Sequence, residues 1–200
     1  MQKADLIKKL YSIEKAYFSL SDLEKILDLD RQSLRVRVSR LVKEGILERL
    51  RKGVYQLSLK PESLLRVANQ LYYPSYVSFE YALGEYGILD QKPYTITFAT
   101  SKKSKKMLLR ETEVEFRQLK GELFFGFKKR DGVFWGEIEK VLLDQIYLFT
   151  LGKANLDFEK LTLTAVSEEK LVDYAQKFPP AVQKEVERLL PYLGRIHIGV

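Results

Sequence analysis

Gln32, Arg35, Val36, Ser39, Arg40 and Lys43 recur at the i, i+3, i+4, i+7, i+8 and i+11 positions of one short segment. At about 100° per residue they gather on one side of a helix, opposite Leu34, Val38, Leu41 and Val42. An amide, a hydroxyl, an isopropyl group and cations on one flank are the groups that read a DNA major groove. Gln pairs with adenine, Arg with guanine, and Val can touch a thymine methyl. Arg31 opens the same helix, and Arg49, Arg51 and Lys52 follow on a ribbon where they can meet phosphates or a minor groove.

Other chemistry has little to stand on. Cysteine is absent, which excludes disulfides and thiolate metal sites. The one histidine, His197, stands near the carboxyl end with no second ligand at metal spacing, and no phosphate-cradling Gly loop or nucleophile elbow occurs. Glu113, Glu115, Glu122 and Asp131 are the acids a metal-dependent nuclease would draw on. Their spacing forms no recognisable set, and charge on edge strands accounts for them. No catalytic residue, cofactor or metal is therefore expected.

The reading helix needs elements to hold it. Leu6, Ile7, Leu10 and Ile13 form a helical stripe between Ala4 and Ala16. Ser21-Asp22-Leu23-Glu24 has the spacing of a capping box for a helix burying Leu23, Ile26 and Leu27. Asp28-Leu29-Asp30 is a short turn, with Asp30 placed to cap the helix from Arg31 to about Glu44, and Gly45 suits a left-handed terminator. Ile46–Leu50 and Val54–Leu57, joined across Arg51-Lys52-Gly53, predict a hairpin wing. The order is that of a winged helix-turn-helix. Charge agrees with it. Residues 1–60 carry 14 Lys and Arg against 8 Asp and Glu, residues 137–200 carry 8 against 10, and the chain's net charge is +7. The positive excess thus sits where counterion release from DNA would use it.

A boundary at Leu59-Lys60-Pro61 divides the chain into 1–60, the winged helix, and 61–200. The second part opens with a helix from Glu62 to about Leu71, and a further helix carries Phe79, Ala82, Leu83 and Tyr86. Tyr94–Thr100 alternates like a strand with one wet face, and Glu113–Arg117, Leu123–Phe127 and Val133–Trp135 supply further strands. A long helix from Glu137 to about Leu151 and two more, near Glu168–Phe178 and Ala181–Leu190, complete it. The fold class expected is α+β, with a small, mainly antiparallel sheet and carboxyl-terminal helices. Lys102, Lys103, Lys105 and Lys106 make a possible secondary basic site without a compensating acid nearby, and Lys128-Lys129-Arg130 sits at a hairpin tip. No apolar run approaches the roughly 18 residues of a membrane span, and no signal-peptide core is visible. A cytoplasmic protein without membrane contact is expected.

Tyr73-Pro74-Ser75-Tyr76-Val77-Ser78-Phe79-Glu80-Tyr81-Ala82-Leu83, then Tyr86-Gly87-Ile88, resembles the AbiEi family of antitoxins. The likeness continues from Thr95 to Lys106 and in Glu137-Ile138-Glu139-Lys140-Val141-Leu142-Leu143-Asp144, and the amino-terminal layout fits as well. These antitoxins belong to type IV abortive-infection toxin–antitoxin systems. The resemblance implies a repressor that binds inverted repeats in the promoter of its own operon and counteracts a nucleotidyltransferase-like toxin. DNA contact would then fall to Gln32–Lys43 with Arg49, Arg51 and Lys52, and antitoxin activity to the second domain. Glu139 and Asp144 read as packing and capping residues on a helix where Lys140 and Asp144 form an i, i+4 pair. A stand-alone transcription factor whose second domain senses a ligand or protein remains the alternative.

Overall fold

The computed structural model describes residues 2–193. His197, noted above as the lone imidazole, lies outside them. The chain divides into two units: Met1–Leu71 with Leu108–Glu111, and Tyr72–Met107 with Thr112–Val200.

The first unit runs α1 (Lys3–Ser12), β1 (Phe18–Ser19), α2 (Leu20–Leu27), α3 (Arg31–Lys43), β2 (Leu47–Arg51), β3 (Val54–Leu57) and α4 (Leu64–Leu71). β1, β3 and β2 form an antiparallel sheet in that order. Leu6, Leu10, Leu23, Leu34, Leu41 and Leu57 bury the inner faces of the helices and ribbon in one apolar cluster with Phe18, Val38 and Leu47. Two starts are sealed by side chains. Ser19 caps α2 and forms a reciprocal box with Asp22: the Asp22 N–H donates to Ser19 Oγ at 3.1 Å, and the Ser19 N–H to Asp22 Oδ2 at 2.8 Å. The cap therefore lies two residues before the expected Ser21, because Leu20 already turns inward as the first helical residue. Asp30 accepts from the N–H groups of Gln32 and Ser33 at 2.9 and 3.1 Å, as its place predicts. At the other end of α3, Gly45 has φ +71°, a conformation glycine adopts without a Cβ clash.

The domain boundary expected at 60/61 differs from the division observed: α4 groups with the first unit. The Ala16 N–H donates to Gln70 Oε1 at 3.0 Å, which ties α4 to the segment after α1.

The second unit is α+β. Its elements are β4 (Ser75–Val77), α5 (Phe79–Glu85), β5 (Ile96–Thr100), β6 (Lys105–Leu109, whose last two residues group with the first unit), β7 (Thr112–Gln118), β8 (Phe127–Arg130), β9 (Val133–Gly136), α6 (Ile138–Thr150), α7 (Glu168–Ala175) and α8 (Pro180–Leu189). Six strands lie in the order β6-β7-β5-β4-β9-β8. β4–β5 and β8–β9 pair antiparallel, but β5–β7 and β4–β9 pair parallel, so the sheet is larger and more mixed than expected. β5 is buried at all five positions, not wet on one face. Its threonines are inside because they are satisfied there: the Thr97 hydroxyl donates to Ser78 O at 2.6 Å, and the Thr100 hydroxyl to Pro74 O at 2.7 Å. Leu123–Phe127 is not a strand. Gly121–Leu123 forms a 3-10 turn, and the strand starts at Phe127, which places Lys128, Lys129 and Arg130 along β8 with Asp131-Gly132 at the turn.

Glu137, just before α6, ties that helix to α7 and to β8. It meets Lys128 at 2.5 Å and Lys170 at 3.3 Å, and accepts a hydrogen bond from the Tyr174 hydroxyl. Burial opposes its charge, but the bonds from Lys128, Tyr174 and Lys170 outweigh burial and hold its pKa at about 2, below the ordinary 4.5. A carboxylate depressed on folding stabilises the native state above its unfolded pKa, and that contribution disappears as pH falls through the folded value. Acid titration is therefore expected to remove a component of stability between about pH 4.5 and pH 2. Denaturant midpoints measured across that window should fall less steeply in Glu137→Gln than in the parent.

Candidate nucleic-acid interface

The α3 residues singled out by spacing lie together on the surface. Arg31, Gln32, Arg35, Val36, Ser39, Arg40 and Lys43 are all exposed, while Leu34, Val38 and Leu41 are buried beneath them. On the ribbon, Arg49 and Lys52 are exposed and Arg51 is half-buried. Val36 is 50% exposed, an apolar side chain standing among cations with no core to fill. Arg35, Val38, Val42 and Tyr55 contribute to a cleft of about 580 Å³ between α3 and the β2–β3 ribbon, rimmed further by Lys43, Arg49 and Lys52. A shallower hollow of about 430 Å³ lies along the other flank of α3, lined by Leu29, Gln32, Val36, Arg37 and Arg40.

The electrostatics sharpen this surface. Among the described residues, no carboxylate pairs with Arg31, Arg35, Arg40, Lys43, Arg49, Arg51 or Lys52. Asp30, next to Arg31, is taken up by the helix cap, and two further acids close in sequence are engaged elsewhere. Glu44 bridges Lys3 at 3.0 Å. Glu48 takes the Arg110 guanidinium in two bonds, 2.6 and 2.7 Å long, and also accepts from Gln56 Nε2 at 2.7 Å. The Arg110 bonds hold the Glu48 carboxyl below its usual range. A ribbon acid that would repel phosphate is thus neutralised, and the α3 and ribbon cations keep their charge free for an external anion. Sequence reading missed Arg110 because it lies 62 residues from its partner.

The secondary basic site changes in content. Lys105 and Lys106 belong to β6, an element the sequence did not reveal. Lys106 bridges Glu113 at 3.3 Å and Glu115 at 3.5 Å, so the expectation of four uncompensated lysines fails for it: the adjoining strand β7 carries both acids. Lys102 and Lys105 instead direct their ammonium groups over the Tyr72 ring, at 5.5 and 5.1 Å, and the Tyr72 hydroxyl donates to Lys103 O at 2.8 Å. The acids weighed for nuclease chemistry do not converge. Glu115 also binds Arg117, and among the described residues no group of three or more His, Asp or Glu could hold a metal ion. No helix among them is long and apolar enough to cross a membrane.

Lys140 and Asp144, the i, i+4 pair expected on α6, are wholly buried and joined as an ion pair. Tyr76 Oη and Ser78 Oγ each donate to Asp144 Oδ2 at 2.8 Å, and Lys140 Nζ donates to Tyr76 Oη at 2.8 Å. The rings of Tyr76, Phe125 and Phe178 surround the ammonium at 5.1–5.4 Å. Burial pulls the Lys140 pKa down and pushes the Asp144 pKa up, and their contact opposes both shifts.

A helix capped by Asp30, closed by Gly45 and followed by a basic two-stranded ribbon defines the first unit as a winged helix-turn-helix. Residues 5–58 match the model of a family described as transcriptional regulator, AbiEi antitoxin. The resemblance is borne out over that span. The match does not extend to Tyr73–Ile88, Thr95–Lys106 or Glu137–Asp144, the second-unit segments in which likeness was also visible. No match is found among curated proteins.

Proposed function

We propose that α3 and the β2–β3 ribbon bind double-stranded DNA, and that the protein is a cytoplasmic transcriptional repressor and antitoxin. It occupies an inverted-repeat operator of its own operon through Arg31, Gln32, Arg35, Val36, Ser39, Arg40 and Lys43, with Arg49, Arg51 and Lys52 on the ribbon. It counteracts a nucleotidyltransferase-like toxin through the second unit, and it is not an enzyme. The observation that carries this reading is the patch of exposed cations on α3 and the ribbon, left unpaired while Glu44 and Glu48 are bound to Lys3 and Arg110. The family matched over residues 5–58 supports the regulatory and antitoxin roles together.

The alternative, a stand-alone transcription factor, draws on the end of that match at residue 58, which leaves the second unit outside it. Co-expression separates the two. The full chain and an Arg35→Ala/Arg40→Ala variant should both rescue cells from the toxin encoded beside it, while only the unaltered chain represses a reporter behind its own promoter. Repression without rescue, or no nucleotidyltransferase gene alongside, would favour the alternative.

A further inference from the structure

The exposed side of α3 is not one surface. Its residues fall on two flanks, each with its own hollow. On the ribbon side, Arg35 and Lys43 face a cleft completed by Arg49 and Lys52, with the apolar floor of Val38, Val42 and Tyr55 between them. On the opposite side, Gln32, Val36 and Arg40 border a shallower hollow reaching Leu29 in the turn before α3. The chemistry of the flanks differs. The first is four cations and the Ser39 hydroxyl around apolar carbon. The second mixes a bidentate amide, the Ser33 hydroxyl, the guanidiniums of Arg37 and Arg40 and a half-exposed isopropyl group.

We infer that the two flanks divide the work of DNA recognition, a deepening that rests on the DNA-binding reading above. The ribbon-side cleft clasps one sugar–phosphate strand: its cations meet phosphate oxygens, and its apolar floor meets deoxyribose carbon. Such contacts fix position without reading sequence. The far flank faces base edges. Val36 sits there because a thymine methyl is the apolar group that the major groove displays, and a methyl contact needs carbon rather than charge. Gln32 and Arg40, on either side of Val36, have donor patterns matched to adenine and guanine. A purely phosphate-binding helix would have no use for an isopropyl group exposed between an amide and a guanidinium.

The experiment uses the full chain and three duplexes: one selected by the chain from a random pool, the same duplex with every thymine replaced by uracil, and a scrambled duplex. Affinities are measured from 50 to 300 mM salt. Arg49→Ala and Lys52→Ala should weaken binding to all three duplexes by the same factor, and each should reduce the slope of log K against log salt by about 0.9. Removing the thymine methyls should weaken the unaltered chain roughly fourfold, the equivalent of about 0.8 kcal/mol for one buried methyl. Val36→Ser should bind the thymine and uracil duplexes equally.

Indifference of the unaltered chain to uracil, or a Val36→Ser loss shared equally by both duplexes, overturns the assignment of Val36. Losses in the Arg49 and Lys52 variants that fall on the selected duplex alone, with an unchanged slope, overturn the assignment of the cleft. Failure of the unaltered chain to bind any duplex at 50 mM salt would instead overturn the DNA-binding reading itself.

Discussion

Replacing Lys140 with methionine, or Asp144 with leucine, should destabilise the second unit by about 3–5 kcal/mol, and replacing both should recover part of that loss. Each single change leaves a charge with no exposed surface and no counter-ion. Asp144 accepts from Lys140, Tyr76 and Ser78, so losing Lys140 removes its one cationic donor, while losing Asp144 strands the ammonium among Tyr76, Phe125 and Phe178. The double variant removes both charges and keeps similar volume, but leaves the Tyr76 and Ser78 hydroxyls without their acceptor. An unsatisfied buried hydroxyl costs about 1–3 kcal/mol, so adding Tyr76→Phe should recover more. The chain's one tryptophan, Trp135 in β9, reports the unfolding of this unit in urea. Single variants within 1 kcal/mol of the parent would show that the pair is not coupled to the fold as described.

The affinity of the unaltered chain for its selected duplex should fall about a thousandfold between 50 and 200 mM salt. The physical source is counterion release, with a slope of roughly −0.9 per phosphate neutralised. Eight cations without a carboxylate partner among the described residues stand on α3 and the ribbon, and about six phosphate contacts give a drop of that size over a fourfold rise in salt. Changing Arg35, Lys43, Arg49 and Lys52 together to alanine should flatten the slope by between about three and four, and leave binding at 150 mM salt too weak to detect by anisotropy. Lys102, Lys103 and Lys105 provide the comparison. If they add phosphate contacts, their triple replacement lowers the slope further, whereas Lys106, held by Glu113 and Glu115, should have no effect. An unaltered slope in the fourfold variant would place the DNA elsewhere on the molecule.

Much of the first unit was legible because its signals are local. The i, i+4, i+7 pattern of Leu34, Val38 and Leu41, the cap at Asp30 and the stop at Gly45 each act within a few residues, and the structure forms all three. The capping box slipped by two residues because Ser19 and Ser21 both precede an acid three positions on, and only the packing of Leu20 chooses between them. The second unit was less readable because its decisive partners are distant. Ser75–Val77 is a strand in the middle of the six-stranded sheet, yet only three residues long and set in an aromatic run whose one periodic signal, the helical spacing of Phe79, Ala82, Leu83 and Tyr86, begins after it. Thr97 looked wet because a threonine's burial depends on finding Ser78, 19 residues away. Lys140 and Asp144, four apart on α6, are legible as an i, i+4 pair with a packing role, but not as a pair sealed wholly from solvent. What buries them is Tyr76 and Ser78, more than 60 residues earlier, and no spacing rule reaches that far.

The measurement closest to the central claim is an amide chemical-shift titration of the labelled full chain with its selected duplex. The account predicts that the amides of Gln32–Lys43 and Arg49–Gly53 shift most and saturate together. Shifts confined to the second unit, with α3 silent, would contradict it.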